Sequence, residues 1–172
     1  MTVWRALNPS RANRGVIRSD FKELTDIEKG ILVGLIEADG SLGIAKNRGK
    51  WYKKGFALYP YIYIVNTDLT LMEKVARILG NRYNIHVHPQ GKSHKGRKKV
   101  YKLTIKKLAH VLDLLRQLYP YFLSDRKKKK AELIMKFCEI RLKKHLEGMA
   151  GTKAWEYGEE EIRLWEECKA LD

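Results

Sequence analysis

The sequence predicts an α+β fold in which a four-stranded antiparallel sheet carries its helices on one face. Three observations lead there. Two pairs of strand-like segments are each followed by a helix. Apolar residues switch along the chain between a period of two and a helical period. A hydrophobic content of 44% over 172 residues is enough for one substantial core.

The elements follow in order. Residues 1–23 have no period and carry Arg5, Arg11, Arg14 and Arg18, which reads as a basic arm. Thr25-Asp26-Ile27-Glu28 is a capping box, so a helix starts there, runs to about Ala38 and stops at Gly40. Strands are expected over 41–46 and 55–65. The second alternates Phe56, Leu58, Ile62 and Ile64 against Ala57, Tyr59, Tyr61, Tyr63 and Val65, and Pro60 demotes it to an edge or a bulge. A helix over 69–79 is closed by Gly80. Two more strands, 82–88 and 100–105, flank a basic loop. Helices then cover 107–118, stopped by Pro120, and about 124–144; the last, over 159–170, is acidic. The chain divides into an arm (1–23), a core (24–145) and an acidic helical extension (146–172).

Charge narrows the function. Net charge is +15, from 35 Lys+Arg against 20 Asp+Glu. From Gly151 onward there are three basic and seven acidic residues, so residues 1–150 hold a net +19. Such an excess calls for a polyanion. No basic amphipathic helix offers an aromatic apolar face to a membrane, so nucleic acid is the expected partner. Two cysteines, Cys138 and Cys168, are too few for a disulfide framework. The absence of a membrane span or signal peptide predicts an intracellular protein that is not secreted, in the cytoplasm or nucleoid of a prokaryote or in an organelle matrix.

The first helix is unusual. Ile31 to Ile36 are six uncharged residues covering nearly its whole circumference, which predicts burial on every side. Gly30, Gly34 and Ala38 recur at i, i+4, i+8 as a shallow ridge, and the simplest partner is the same helix of a second copy. Glu37 and Asp39 then stand at its C-terminal end, where helical carbonyls already concentrate negative charge. A divalent cation such as Mg²⁺ resolves that conflict, being held by one or two carboxylates with waters and phosphates.

Leu32-Val33-Gly34-Leu35-Ile36-Glu37-Ala38-Asp39-Gly40 resembles the LAGLIDADG motif, with Val33 for Ala and Glu37 for Asp. Asn66-Thr67-Asp68 before Leu71-Met72-Glu73-Lys74-Val75 is similar to a second segment of the LAGLIDADG homing endonucleases. Tyr119-Pro120-Tyr121-Phe122, with Lys127–Lys130 and Ala131-Glu132-Leu133, is similar to a third. The resemblance covers about residues 25–144. It implies the αββαββα fold with a saddle-shaped sheet. With one motif, it also implies a homodimer that cuts a long near-palindromic double-stranded DNA site, hydrolysing one phosphodiester per strand and promoting mobility of a host intron.

By the same resemblance Asp39 is the metal-binding acid, assisted by the Ala38 backbone carbonyl. Mg²⁺ is the implied ion, with Mn²⁺ substituting and Ca²⁺ binding without supporting cleavage. Lys127 is the implied basic residue near the scissile phosphate, with Lys128 next. Asn66 corresponds to a water-positioning residue, or else caps the following helix. Strand alternation turns Tyr59, Tyr61, Tyr63, Arg82, Asn84, His86, His88, Lys102 and Thr104 away from the core, toward DNA or, for the tyrosines, a second small core under the arm. Lys98, Lys128, Arg14 and Arg18 are expected on phosphates. A different reading is a LAGLIDADG RNA maturase or DNA-binding regulator that no longer cleaves.

Overall fold

The computed structural model describes residues 21–52, 54–88, 98–147 and 156–172. Among them the order is α1 (Asp26–Ala38), β1 (Ser41–Arg48), β2 (Phe56–Asn66), α2 (Leu69–Ile78), β3 (Ile85–Val87), β4 (Tyr101–Ile105), α3 (Leu108–Leu118), α4 (Asp125–Leu146) and α5 (Glu159–Ala170). The sheet is antiparallel throughout, in the order β1-β2-β4-β3. Two hairpins therefore meet through β2 and β4. Helices cover one face, where Leu42, Ile44, Ile62, Ile64, Leu103 and Ile105 join Leu32, Ile36, Val75, Leu112, Leu115, Ile134 and Phe137 in one core. This is the α+β architecture the sequence predicts.

Local chemistry sets the ends of the elements. Thr25 Oγ1 accepts the Glu28 N–H, and Glu28 Oε2 accepts the Thr25 N–H, completing the capping box of α1. Gly40 ends the motif because α1 and β2 come together there. A Cβ at that position would lie 2.7 Å from Ile36 Cα and 2.8 Å from the Tyr63 carbonyl oxygen. After α2, Gly80 (φ 75°) and Asn81 (φ 54°) are both left-handed, so the chain is still turning there.

That turn corrects one expectation. The strand expected over 82–88 is only Ile85–Val87, and Arg82 and Asn84 precede it in irregular backbone. Pro60 is also better placed than its residue type predicts. It lies in β2, inside the sheet, but opposite Ile44 and beyond the point where β4 ends, at Ile62. No β4 ladder bond is lost to it.

The acidic extension is part of the same packed body. Leu164 and Cys168 of α5 are buried with Tyr157 in the common core. The Tyr157 hydroxyl accepts the Leu58 N–H at 2.8 Å and donates to the Leu58 carbonyl at 3.2 Å, beyond the reach of β4. Phe21, which the sequence reading gave to the arm, is buried against α3. Both cysteines are buried and unpaired. No helix among the described residues is long and apolar enough to cross a membrane.

Candidate active site at the meeting of two helix ends

The C-terminal end of α1 meets the N-terminal end of α4, and each carries charge of the sign its own dipole disfavours. The meeting explains both. Glu37 Oε1 accepts the N–H groups of Leu123 and Ser124, each at 3.0 Å, at the entry to α4. Ser124 is the N-cap proper, its Oγ accepting the Lys127 N–H at 3.1 Å. In return Lys127 Nζ donates to the carbonyls of Ile36, Gly40 (3.0 Å) and Glu37 (3.3 Å). Each helix thus supplies a cap for the other. Lys127 is buried, and burial pushes its ammonium below the usual lysine value; the Glu37 carboxylate, and more weakly Asp39, pull it back up.

Asp39 has no such task. It is exposed, and its carboxylate has no hydrogen-bond or ion-pair partner among the described residues. It opens onto a cleft of about 170 Å³ lined by the chain from Glu37 to Leu42, by Arg126, Lys127 and Lys130 of α4, and by Asp172. The donors for a metal here are the Asp39 carboxylate and the Ala38 carbonyl, which Lys127 passes over while taking its neighbours. Hard oxygen donors suit Mg²⁺. The described residues hold no group of three or more His, Cys, Asp or Glu able to bind a metal, so further ligands would come from water or phosphate. These donors would suit an ion whose remaining ligands are water or phosphate.

The other sequence-assigned residues fall into three groups. Gly30, Gly34 and Ala38 are exposed along α1, and open space surrounds the place where a Cβ would sit on either glycine. Ile27 (77% exposed) and Ile31 (41%) flank them, so the chain alone does not bury this helix on every side. Asn66 is not in the cleft. Its Oδ1 accepts the Asp68 N–H at 2.9 Å in an Asx turn, and Asp68, not Asn66, caps α2 by accepting the Leu71 N–H.

The third group is on the sheet face away from the core. Tyr63 is paired with Thr104, Val65 with Lys102, and Lys102 with His86, so these residues and Tyr59 and Tyr61 share one surface. All three tyrosines are half-buried. Tyr61 lies across Gly43, whose Cβ would meet the phenol oxygen at 2.7 Å, and stacks on Tyr63 with ring centroids 5.5 Å apart. Lys102 Nζ sits 3.9 Å from the Tyr63 centroid and Lys106 Nζ 5.2 Å from that of Tyr59. The surface is a row of aromatics interleaved with lysines. Burial raises the Tyr61 phenol above its ordinary value despite a hydrogen bond with Ser41. His88 follows β3, Lys98 is exposed, Lys128 is half-buried off the cleft, and Arg14 and Arg18 lie outside the described residues.

The sequence names Lys130 only as one of the run 126–130, favouring Lys127 and then Lys128, and does not single out Asp172. A signal for Lys130 was available, because Lys127, Lys130, Ala131 and Ile134 share the buried stripe of α4 while Lys129 faces outward. Asp172 reaches the cleft only through the docking of α5, which no local pattern encodes.

The family model for LAGLIDADG endonucleases matches residues 32–141 of the chain. The chain belongs to this family. The matched part of this LAGLIDADG protein takes in the Asp39 end of α1, the sheet and most of α4, and leaves α5 outside. No curated protein matches it. Among solved structures it is similar to the homing endonuclease I-CvuI in complex with the I-CreI target, at 15% identity and a TM-score of 0.61, over 85% of this chain and 82% of that one. It is similar also to the archaeal intron-encoded I-Vdi141I complexed with DNA (18% identity, TM-score 0.61, 86% and 85%). A third is the I-SmaMI LAGLIDADG homing endonuclease bound to cleaved DNA (20% identity, TM-score 0.56), where 86% of this chain covers 50% of that one.

Proposed function

We propose that this protein is a homing endonuclease that binds a near-palindromic duplex as a homodimer and hydrolyses one phosphodiester per strand with Mg²⁺. The observation that carries the proposal is the division of labour at the end of α1. Glu37 is used as a cap, whereas Asp39 is presented to an open cleft beside Arg126 and Lys130. A DNA-binding regulator would need no carboxylate there, since it repels phosphate.

The chain's own parts divide the work. The tyrosine–lysine face of the sheet takes the duplex, stacked rings giving apolar contact and lysines neutralising phosphates. Arg126 and Lys130 draw a phosphate into the cleft, where Asp39 and the Ala38 carbonyl would hold a cation. Mg²⁺ bound there would supply Lewis acidity toward the phosphate and a more acidic water. The exposed ridge of Gly30, Gly34 and Ala38 lets a second α1 approach closely and sets two Asp39 residues about a two-fold axis, one for each strand. Supporting this arrangement, the chain covers most of I-Vdi141I but half of I-SmaMI, which leaves that longer chain room for a second unit. I-CvuI has been solved on the I-CreI target in the presence of Mg²⁺, with that DNA not cleaved, and on its own target in the presence of Ca²⁺, in keeping with divalent-metal use.

Cleavage selection on a randomised duplex library with Mg²⁺ tests the proposal. A recovered sequence should be cut by the wild type and bound but left intact by Asp39→Asn. A protein that retains DNA tightly and cuts none of the library would be a binding module instead.

A further inference from the structure

Lys127 is occupied by three backbone carbonyls, which leaves Arg126 and Lys130 as the other cations lining the cleft. Lys130 is one helical turn further along α4 and lines the same cleft. Only 7% of its side chain is exposed, and its Nζ makes an ion pair with Asp172 Oδ1. We infer that Asp172 is a positioning residue, holding the Lys130 ammonium at the mouth of the Asp39 cleft, and that Lys130 is the lysine through which α4 contacts a phosphate there.

The inference rests on the endonuclease reading above and extends it to a helix outside the family match. Asp172 lies two residues beyond α5, so its place depends on how α5 is held. That anchorage is strong. Glu161 is 1% exposed and receives Arg141 Nη1 at 3.0 Å, Lys144 Nζ and the Gly158 N–H at 2.7 Å. Leu164 and Cys168 are buried beside it. A fixed helix therefore delivers a carboxylate to a buried cation that makes no other ion pair among the described residues. Asp172 remains 62% exposed, so it orients the ammonium without covering it. An entering phosphate can share the free side of the same group.

Two measurements on the full chain test this. The first is amine acylation read by mass spectrometry. Lys130 should label slowly in the wild type and Asp172→Glu, several-fold faster in Asp172→Asn, and be protected by target duplex with Ca²⁺ in all three. The second is single-turnover cleavage with Mg²⁺. Asp172→Asn should cut ~10-fold more slowly with DNA affinity within about twofold, because a displaced group loses rate more than binding. Asp172→Glu should recover most of the rate. Lys130→Met should lose ~100-fold, and the double variant Asp172→Asn/Lys130→Met should be no slower than Lys130→Met alone. A wild type that cuts nothing would sink the endonuclease reading, while labelling still decides the pair. Unchanged Lys130 labelling in Asp172→Asn overturns the inference. So does faster cutting by that variant, which would make the contact a mask, or a full additional loss in the double variant, which would make Asp172 merely structural.

Discussion

Replacing Lys127 with Met removes the one donor that serves three carbonyls at the end of α1 while keeping the aliphatic stem in place. The cost can be built from its parts. The Ile36 carbonyl is in the buried part of the contact, and losing a charged partner there costs about 1.5–3 kcal/mol. The Glu37 and Gly40 carbonyls are partly exposed, so water replaces the lysine at little cost. Loss of a cation from the helix C-terminus adds about 1 kcal/mol. Relief of the burial cost, the cost that lowers the Lys127 pKa, offsets part of this. The expected net loss is about 3 kcal/mol, read by urea denaturation at fixed protein concentration. Lys128→Met, one residue on, should change stability by less than about 0.5 kcal/mol. The pH dependence has a definite sign. In the folded chain Lys127 gives up its proton at a lower pH than the usual 10.5, so between the two values the unfolded chain binds more protons. Wild-type stability relative to Lys127→Met should therefore increase as pH rises through that window. If Lys127→Met proves as stable as Lys128→Met yet loses cleavage, Lys127 is the phosphate lysine and its role as a cap is wrong.

Other perturbations separate neighbouring roles. Glu37→Gln should destabilise by about 1 kcal/mol through its weaker hold on the Leu123 and Ser124 N–H groups, seen as a lower thermal midpoint. Asp39→Asn, by contrast, should leave the thermal midpoint within a degree or two while abolishing cleavage. Gly34→Leu should leave the single chain folded, since nothing lies within 4 Å of its Cβ position, and yield a monomer in sedimentation at micromolar concentration. Glu161→Ala should cost about 3–5 kcal/mol, because it removes the buried carboxylate that Arg141 is paired with; limited proteolysis should then release α5.

The parts of the molecule that were legible in the sequence are those where one local rule acts alone. The α1 capping box, the period-two pattern of β2 and the acidic run of α5 each place an element without reference to anything distant. The 82–88 segment misled because Ile85 and Val87 alternate correctly, while two consecutive left-handed residues, Gly80 and Asn81, delay the strand. Val87 keeps the expected inward register yet is 57% exposed, as an edge strand leaves it overhanging the core. The exposed place of Asp39 at the cleft is the one a carboxylate at a helix C-terminus suggests, being electrostatically out of place there. The task of Lys127 was not legible, because it is set by carbonyls about ninety residues away. Counting along a lysine run identifies a position, whereas the direction of the side chain is decided by which helix end comes to meet it.

The same reasoning shows why five consecutive basic residues are tolerated at the start of α4. Alone, Arg126 to Lys130 would oppose the helix dipole and repel one another. In the fold two of the charges are drawn into buried work. Lys127 turns to the negative end of α1, and Lys130 to Asp172. The others remain for solvent and a polyanion: Arg126 lines the cleft, Lys128 is half-buried, and Lys129 is exposed with a loose ion pair to Glu132 at 3.4 Å. The run is thus divided by helical period between side chains drawn into the body of the fold and side chains left at its surface. Salt should expose that division. Raising ionic strength should weaken DNA binding steeply, through the exposed lysines and the arginine. It should leave the thermal midpoint nearly unchanged, because the pairs that fix α1, α4 and α5 to one another are buried and poorly screened.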